Sequence, residues 1–242
     1  MKALRRIVRR AMGRPDITLI GHSHVWALAA AAEAMTARVR IVDLWKVANP
    51  FQVDELQHLD AILPPAAPGP VVSLIGGSRY NTLALYEHPE PFDFVDPSED
   101  VPMDPARRYL PYDAVREALL ALMDPNLSLM RAVRERTRGR MYHLEHPPPW
   151  GDARDPKDYP ADPWMQPSDR FGDRRLRRKL ARLETRVLQA FCQQHDIMFL
   201  PAPTDDVADR DGFLRPDYFG DLMHVNPAYG RVALAYLLDQ AE

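Results

Sequence analysis

The sequence predicts an α/β fold, a three-layer sandwich around a five-stranded, mostly parallel sheet. Three observations predict it. Short apolar runs alternate with stretches of helical period. Two of the first three runs are uniformly apolar, as expected of strands covered on both faces. The connections are too long for hairpins and suit βαβ crossovers. With 242 residues, 46% of them hydrophobic and 27% charged, the chain is long enough to bury a sizeable core.

The first element is basic. Lys2, Arg5, Arg6, Arg9, Arg10 and Arg14 fall within the first 14 residues, with no acid among them. Leu4, Ile7, Val8, Ala11 and Met12 recur at helical spacing, so residues 1–15 read as an amphipathic basic helix. It is expected to pack its stripe on the domain or to make weak peripheral contact with an anionic membrane surface. It lacks the apolar stretch of a secretory signal. No run in the chain approaches the roughly 20 apolar residues of a membrane span.

The remainder, residues 16–242, follows as one domain. Residues 17–20 form the first strand, and Gly21-His22-Ser23-His24 turns the chain. Residues 25–35 are alanine-rich and helical. Residues 39–45 form the second strand. Residues 53–63 have helical period and end at Pro64-Pro65. Residues 71–75 form the third strand, stopped by Gly76-Gly77. Residues 88–111 read as a long ordered loop over the surface. Two helices are expected at 112–123 and 125–138, because Pro111 and Pro125 sit where helix starts tolerate proline.

A fourth strand is expected at 140–146, where His143 and His146 are placed on one side. A proline-rich excursion follows at 147–168. The next helix carries Leu176, Leu180, Leu183, Val187, Leu188 and Phe191 on one face. Arg174, Arg175, Arg177, Arg178, Lys179, Arg182 and Arg186 on the other face read as solvated. The fifth strand is at 196–200, and a closing helix at 232–238. The chain has 24 prolines against 11 glycines. The two proline-rich loops are expected to form a lid or rim whose Phe92, Phe94, Trp150, Tyr159 and Trp164 wall a pocket.

Net charge is −3, which excludes the whole chain as a nucleic-acid polycation. The single cysteine, Cys192, excludes an intrachain disulfide and a cysteine-based zinc site. It suits a reducing, cytoplasmic setting. The arginine-, alanine- and proline-rich composition suggests a bacterial source. Oligomeric state is not legible.

Open parallel sheets bind ligands at the carboxyl ends of their strands. After the first strand come His22, Ser23 and His24. After the third come Gly76, Gly77, Ser78, Arg79 and Asn81. Before the last helix comes Asp221-Leu-Met-His224. These are the parts of an acyl-transfer site: a nucleophile, a base, an orienting acid and oxyanion donors.

Those three blocks resemble the SGNH (GDSL-type) hydrolase superfamily. Gly21-His22-Ser23 matches its first block, Gly76-Gly77-Ser78-Arg79 approaches its third, and Asp221 to His224 matches its last. The resemblance implies a flavodoxin-like SGNH architecture and a serine esterase working through an acyl-enzyme on Ser23. His224 would be the general base and Asp221 its orienting acid. The Ser23 N–H, Gly76, Gly77 and Ser78 or Asn81 would supply the oxyanion donors. His22, His24 and His146 are candidates for substrate contact. The implied substrate is a small-molecule or sugar ester, with no metal or organic cofactor.

The chain departs from the family pattern at three points. His22 replaces an aspartate. Residues 45–49 contain no glycine where the second block has one. Ser78 stands where asparagine belongs, and Asn81 follows three positions later. These departures support a different class of function, a non-catalytic module that binds acylated sugars or related ligands. Ser23 also has a plainer role available as a helix N-cap. Gly21-His22-Ser23-His24 further resembles a metallophosphoesterase block, although the companion motifs of that family are absent.

Overall fold

The computed structural model describes residues 17–46, 69–99, 101–151, 170–221 and 223–240. The expected basic helix at 1–15, the helix at 53–63, residues 47–49, and Tyr159 and Trp164 lie outside the described residues. The elements run β1 (Ile17–Gly21), α1 (His24–Ala34), β2 (Val39–Asp43), β3 (Val71–Leu74), α2 (Asn81–Ala84), β4 (Phe92–Asp93) and β5 (Arg108–Tyr109). They continue with α3 (Tyr112–Arg136), β6 (Met141–Leu144), α4 (Arg174–Gln194), β7 (Met198–Leu200), α5 (Thr204–Val207) and α6 (Pro227–Gln240).

The main sheet has the order β2-β1-β3-β6-β7, and every neighbouring pair is parallel. The predicted fold class is therefore the observed one, with all five expected strands in a single sheet. The chain order reverses direction between β1 and β3, which is where doubly wound sheets open a crevice.

Strand period two assigns the layers. Ile20, Val71 and Met141 join the apolar cluster under α3 and α4. Leu19, Val72, Leu74, Tyr142 and Leu144 join the cluster under α1 and α6. The α1–α6 contact is very close. A Cβ built on Gly230 would stand 2.1 Å from the Ala27 carbonyl oxygen. Only glycine permits that approach, and it draws the start of α6 against α1.

Four expectations are corrected. The two helices expected at 112–123 and 125–138 are one 25-residue helix, α3, with Pro125 inside it. An interior proline costs a helix about 3 kcal/mol. Here Val115, Leu119 and Met123 before it, and Leu129, Met130 and Val133 after it, are buried in the same core. Burial of both halves, at roughly 1.5–3 kcal/mol per large apolar side chain, outweighs the break.

The arginine-rich face of α4 is not simply solvated. Lys179 is 0% exposed and Arg177 1%. Lys179 Nζ donates to both carboxylate oxygens of Asp93 at 2.8 and 3.0 Å, and to the Phe94 carbonyl at 3.0 Å. Arg177 donates to the carbonyl oxygens of Trp150, at 2.8 Å, and Gly172, at 3.2 Å. Arg186 pairs with Asp96, and Arg182 with Glu99 at 2.7 Å.

Those same contacts correct the reading of residues 88–111 as a surface loop. Its acids and its fully buried Phe94 fasten it to α4. The expected aromatic wall is corrected for Phe92, Phe94 and Trp150. Phe92 and Phe94 belong to the core on one face of the sheet, and Trp150 to the core on the other.

Candidate active site

The turn after β1 presents Ser23 at the N-cap position of α1. Its hydroxyl makes no capping hydrogen bond, so the plain capping role is not the one it plays. His22, beside it, is buried and packs edge-on against Trp45, with ring centroids 5.8 Å apart. Burial, reinforced by the positive charge of Arg79, lowers the His22 pKa to about 4.

The turn after β3 is built on Gly76 (φ 117°) and Gly77 (φ 60°), a left-handed path that suits glycine. A Cβ on Gly77 would stand 3.3 Å from His24 Nε2. The first and third blocks therefore touch. Among the described residues, no backbone hydrogen bond occupies the N–H groups of Ser23, Gly76 or Gly77.

Ser78 and Asn81 occupy a single turn, with the Asn81 N–H donating to the Ser78 carbonyl at 3.1 Å. The Ser78 side chain is hydrogen-bonded to Tyr80, whereas Asn81 opens α2. One turn is clamped from behind by Glu184. Its carboxylate accepts from the N–H groups of Arg79 (3.0 Å) and Tyr80 (2.7 Å). Sequence reasoning missed Glu184, because an acid on an arginine-rich helix reads as one more surface charge. Its phase with Leu180, Leu183 and Val187 was the available signal.

The last block folds on itself. Asp221 Oδ1 accepts from the backbone N–H groups of Met223 (3.0 Å) and His224 (2.9 Å). His224 Nδ1 lies 2.7 and 2.8 Å from the two Asp221 oxygens. The hydrogen bond from His224 leads a set of contacts that lower the Asp221 pKa to about 2. An ionised carboxylate only accepts, so the ring hydrogen resides on Nδ1. In the neutral ring Nε2 is then a free lone pair, as a general base requires.

Helix α1 receives this loop. The His224 ring lies 6.2 Å from that of His24 and 5.8 Å from that of Trp26, centroid to centroid. The Trp26 indole is itself held by Asp43 at the end of β2, through an N–H···O bond of 2.9 Å. Ser23 lies in the same first turn. The structure thus brings Ser23, Asp221, His224, Gly76 and Gly77 to one end of the sheet, with Ser78 and Asn81 on the adjoining turn.

Beside His24 opens a small cavity of about 20 Å³. His24, Gly77 and His146 line it, and so do His143, Glu145 and Tyr229; His22 and Ser23 do not. His143 and His146 do share a side, but strand alternation is not the cause. The strand β6 ends at Leu144, and His146 reaches the cavity from the loop beyond. His143 is buried against Ser73, Nδ1 to Oγ 3.3 Å, and burial lowers its pKa to about 3.

No protein-family model and no curated protein matches the chain. Solved structures do. A Streptococcus pneumonia protein, provisionally described as a platelet activating factor, superposes with a TM-score of 0.54 at 18% identity, over 95% of this chain and 85% of its own. A GDSL-like lipase from Bacteroides thetaiotaomicron covers 98% of both chains at 12% identity and a TM-score of 0.48. A Bacteroides fragilis protein, provisionally described as an acylhydrolase, covers 94% of this chain and 90% of its own, at 13% identity and a TM-score of 0.46. The last two overlaps are too loose to bear on function. What the first establishes is a common fold, shared over nearly the whole of this chain.

Proposed function

We propose that the chain is a serine hydrolase of the SGNH (GDSL-type) superfamily that cleaves an ester through an acyl-enzyme on Ser23. The observation that carries this reading is the Asp221–His224 pair. Its Nδ1 hydrogen is tied to an ionised carboxylate, and its ring is set against the helix turn that begins at Ser23. A serine hydroxyl is a weak nucleophile without such a base.

In this mechanism Ser23 Oγ attacks the ester carbonyl carbon while its proton passes to His224 Nε2. The oxyanion is met by the N–H groups of Ser23 and of the Gly76-Gly77 turn, with Asn81 as the side-chain donor. Collapse of the tetrahedral intermediate breaks the carbon–oxygen bond, and His224 returns the proton to the departing alcohol. Water, deprotonated by the same nitrogen, then attacks the acyl carbon and frees Ser23. Asp221 stays ionised throughout and stabilises the imidazolium.

The test is hydrolysis of a panel of short acyl esters by the full chain and by Ser23→Ala and His224→Ala. The reading expects turnover that each substitution lowers by about a thousandfold or more. Turnover that survives both substitutions contradicts it.

A further inference from the structure

Three hydrogen-bonding groups that the fold buries converge on the cavity beside His24. His146 is 7% exposed and Tyr229 2%. Among the described residues His146 Nε2, Tyr229 Oη and His24 Nδ1 have no hydrogen-bond partner, and all three residues line this cavity. Folded proteins pair their buried polar groups with very few exceptions. Three of the ten such side-chain atoms among the described residues gather around a single hole, which points to something that enters it.

The hydrogen positions narrow what enters. His146 Nδ1 lies 2.9 Å from the Pro147 carbonyl oxygen. A carbonyl only accepts, so Nδ1 holds the ring hydrogen and Nε2 of the neutral ring is an acceptor. Tyr229 Oη both donates and accepts. Burial, with the Glu145 carboxylate adding to it, raises the Tyr229 pKa, so the hydroxyl keeps its proton. Burial, together with the neighbouring His224 and His146, lowers the His24 pKa to about 3, and the ring stays neutral.

Among the described residues Glu145 is the one acid in the wall, and its oxygens are engaged by the Thr185 hydroxyl and by the Ala202 N–H at 3.0 Å. The remaining surface is largely apolar, with Leu28, Leu74 and Ile75 contributing. Among the described residues no lysine or arginine faces the cavity, so an anion entering it would lose its water without gaining a counter-charge from them. A purely apolar group would leave all three polar groups unmatched.

We infer that this cavity is a specificity subsite for a small uncharged group bearing a hydroxyl. The hydroxyl donates to His146 Nε2 and accepts from Tyr229 Oη. That the group belongs to the ester substrate rests on the function proposed above; the binding chemistry of the cavity does not.

The test is a titration of the full chain, labelled with ¹⁵N-histidine, followed by NMR. The probes are glycolamide and propionamide, which differ by a hydroxyl in place of a methyl group and are not esters. The inference expects glycolamide to bind about tenfold more tightly and to move the His146 and His24 ring resonances. In Tyr229→Phe the preference is expected to fall to about threefold or less. Equal affinities, binding that leaves both rings unmoved, or no binding of either probe, which would mean that the cavity holds water only, each overturns it. The titration does not involve Ser23 chemistry, so failure here and failure of the hydrolase reading are separately visible.

Discussion

The Trp26 indole packs against the His224 imidazole, with ring centroids 5.8 Å apart and planes tilted by 41°. Residue 26 is fixed to the end of β2 through Asp43, so a side chain near the start of the sheet holds the ring that the end of the chain delivers. Trp26 is 48% exposed, and the fold depends on it little. Trp26→Ala is therefore expected to lower kcat/KM by about tenfold or more through misplacement of His224, while the melting temperature changes by about 2 °C or less. Ester kinetics and a thermal melt check this together. Unchanged kinetics would mean that the indole positions nothing.

Asp221→Asn tests the hydrogen placement on His224. An amide can donate to Nδ1 and favour the wrong tautomer, so kcat is expected to fall by about 10³–10⁴-fold. The Asp221 side chain is 63% exposed, and stability is expected to change little. Steady-state kinetics beside an unfolding curve separate the two effects.

Buried neutral histidines make the fold sensitive to acid. The pKa values of His143 and His22 are lowered to about 3 and about 4, against about 6.5 in the unfolded chain. Below pH 6.5 the unfolded state takes up protons that the folded state refuses, so stability falls as pH falls, until the folded values are reached. Each fully buried ring contributes about 2 kcal/mol of that loss at pH 5. Asp221, lowered to about 2, loses its contribution only as pH falls below the ordinary carboxylate range. Urea midpoints at pH 7.5 and pH 5 measure the drop, and His143→Gln is expected to shrink it by about 2 kcal/mol.

Gly230→Ala tests the packing that delivers the last block to α1. In an exposed helix this change stabilises by up to about 1 kcal/mol. Here the added carbon meets the Ala27 carbonyl at 2.1 Å, and the helices must separate. A loss of about 1–3 kcal/mol is expected, with a fall in kcat/KM because the Asp221–His224 loop moves with α6. Thermal melts and ester kinetics measure both.

The sheet was legible because its strands are written in short apolar runs, and all five expected strands pair in parallel. The residues around the turns were legible because polar groups at strand ends have few structural duties. The buried charges were not. Lys179 and Asp93 lie 86 positions apart, and neither spacing nor composition tells a paired lysine from a solvated one. Pro125 misled for a related reason: a local rule for helix starts was overridden by core contacts on both sides of it. Tyr229 was not singled out, since the placement of its hydroxyl at the cavity appears only when α6 closes on it.

The central claim is an activated hydroxyl on Ser23, and covalent labelling reads it most directly. The full chain is incubated with a fluorophosphonate, digested, and the adduct located by peptide mass spectrometry, with Ser23→Ala and His224→Ala alongside. The account predicts a single adduct on Ser23, absent from Ser23→Ala and strongly slowed in His224→Ala. A folded protein that takes no label at Ser23, or that takes it equally fast without His224, would contradict it.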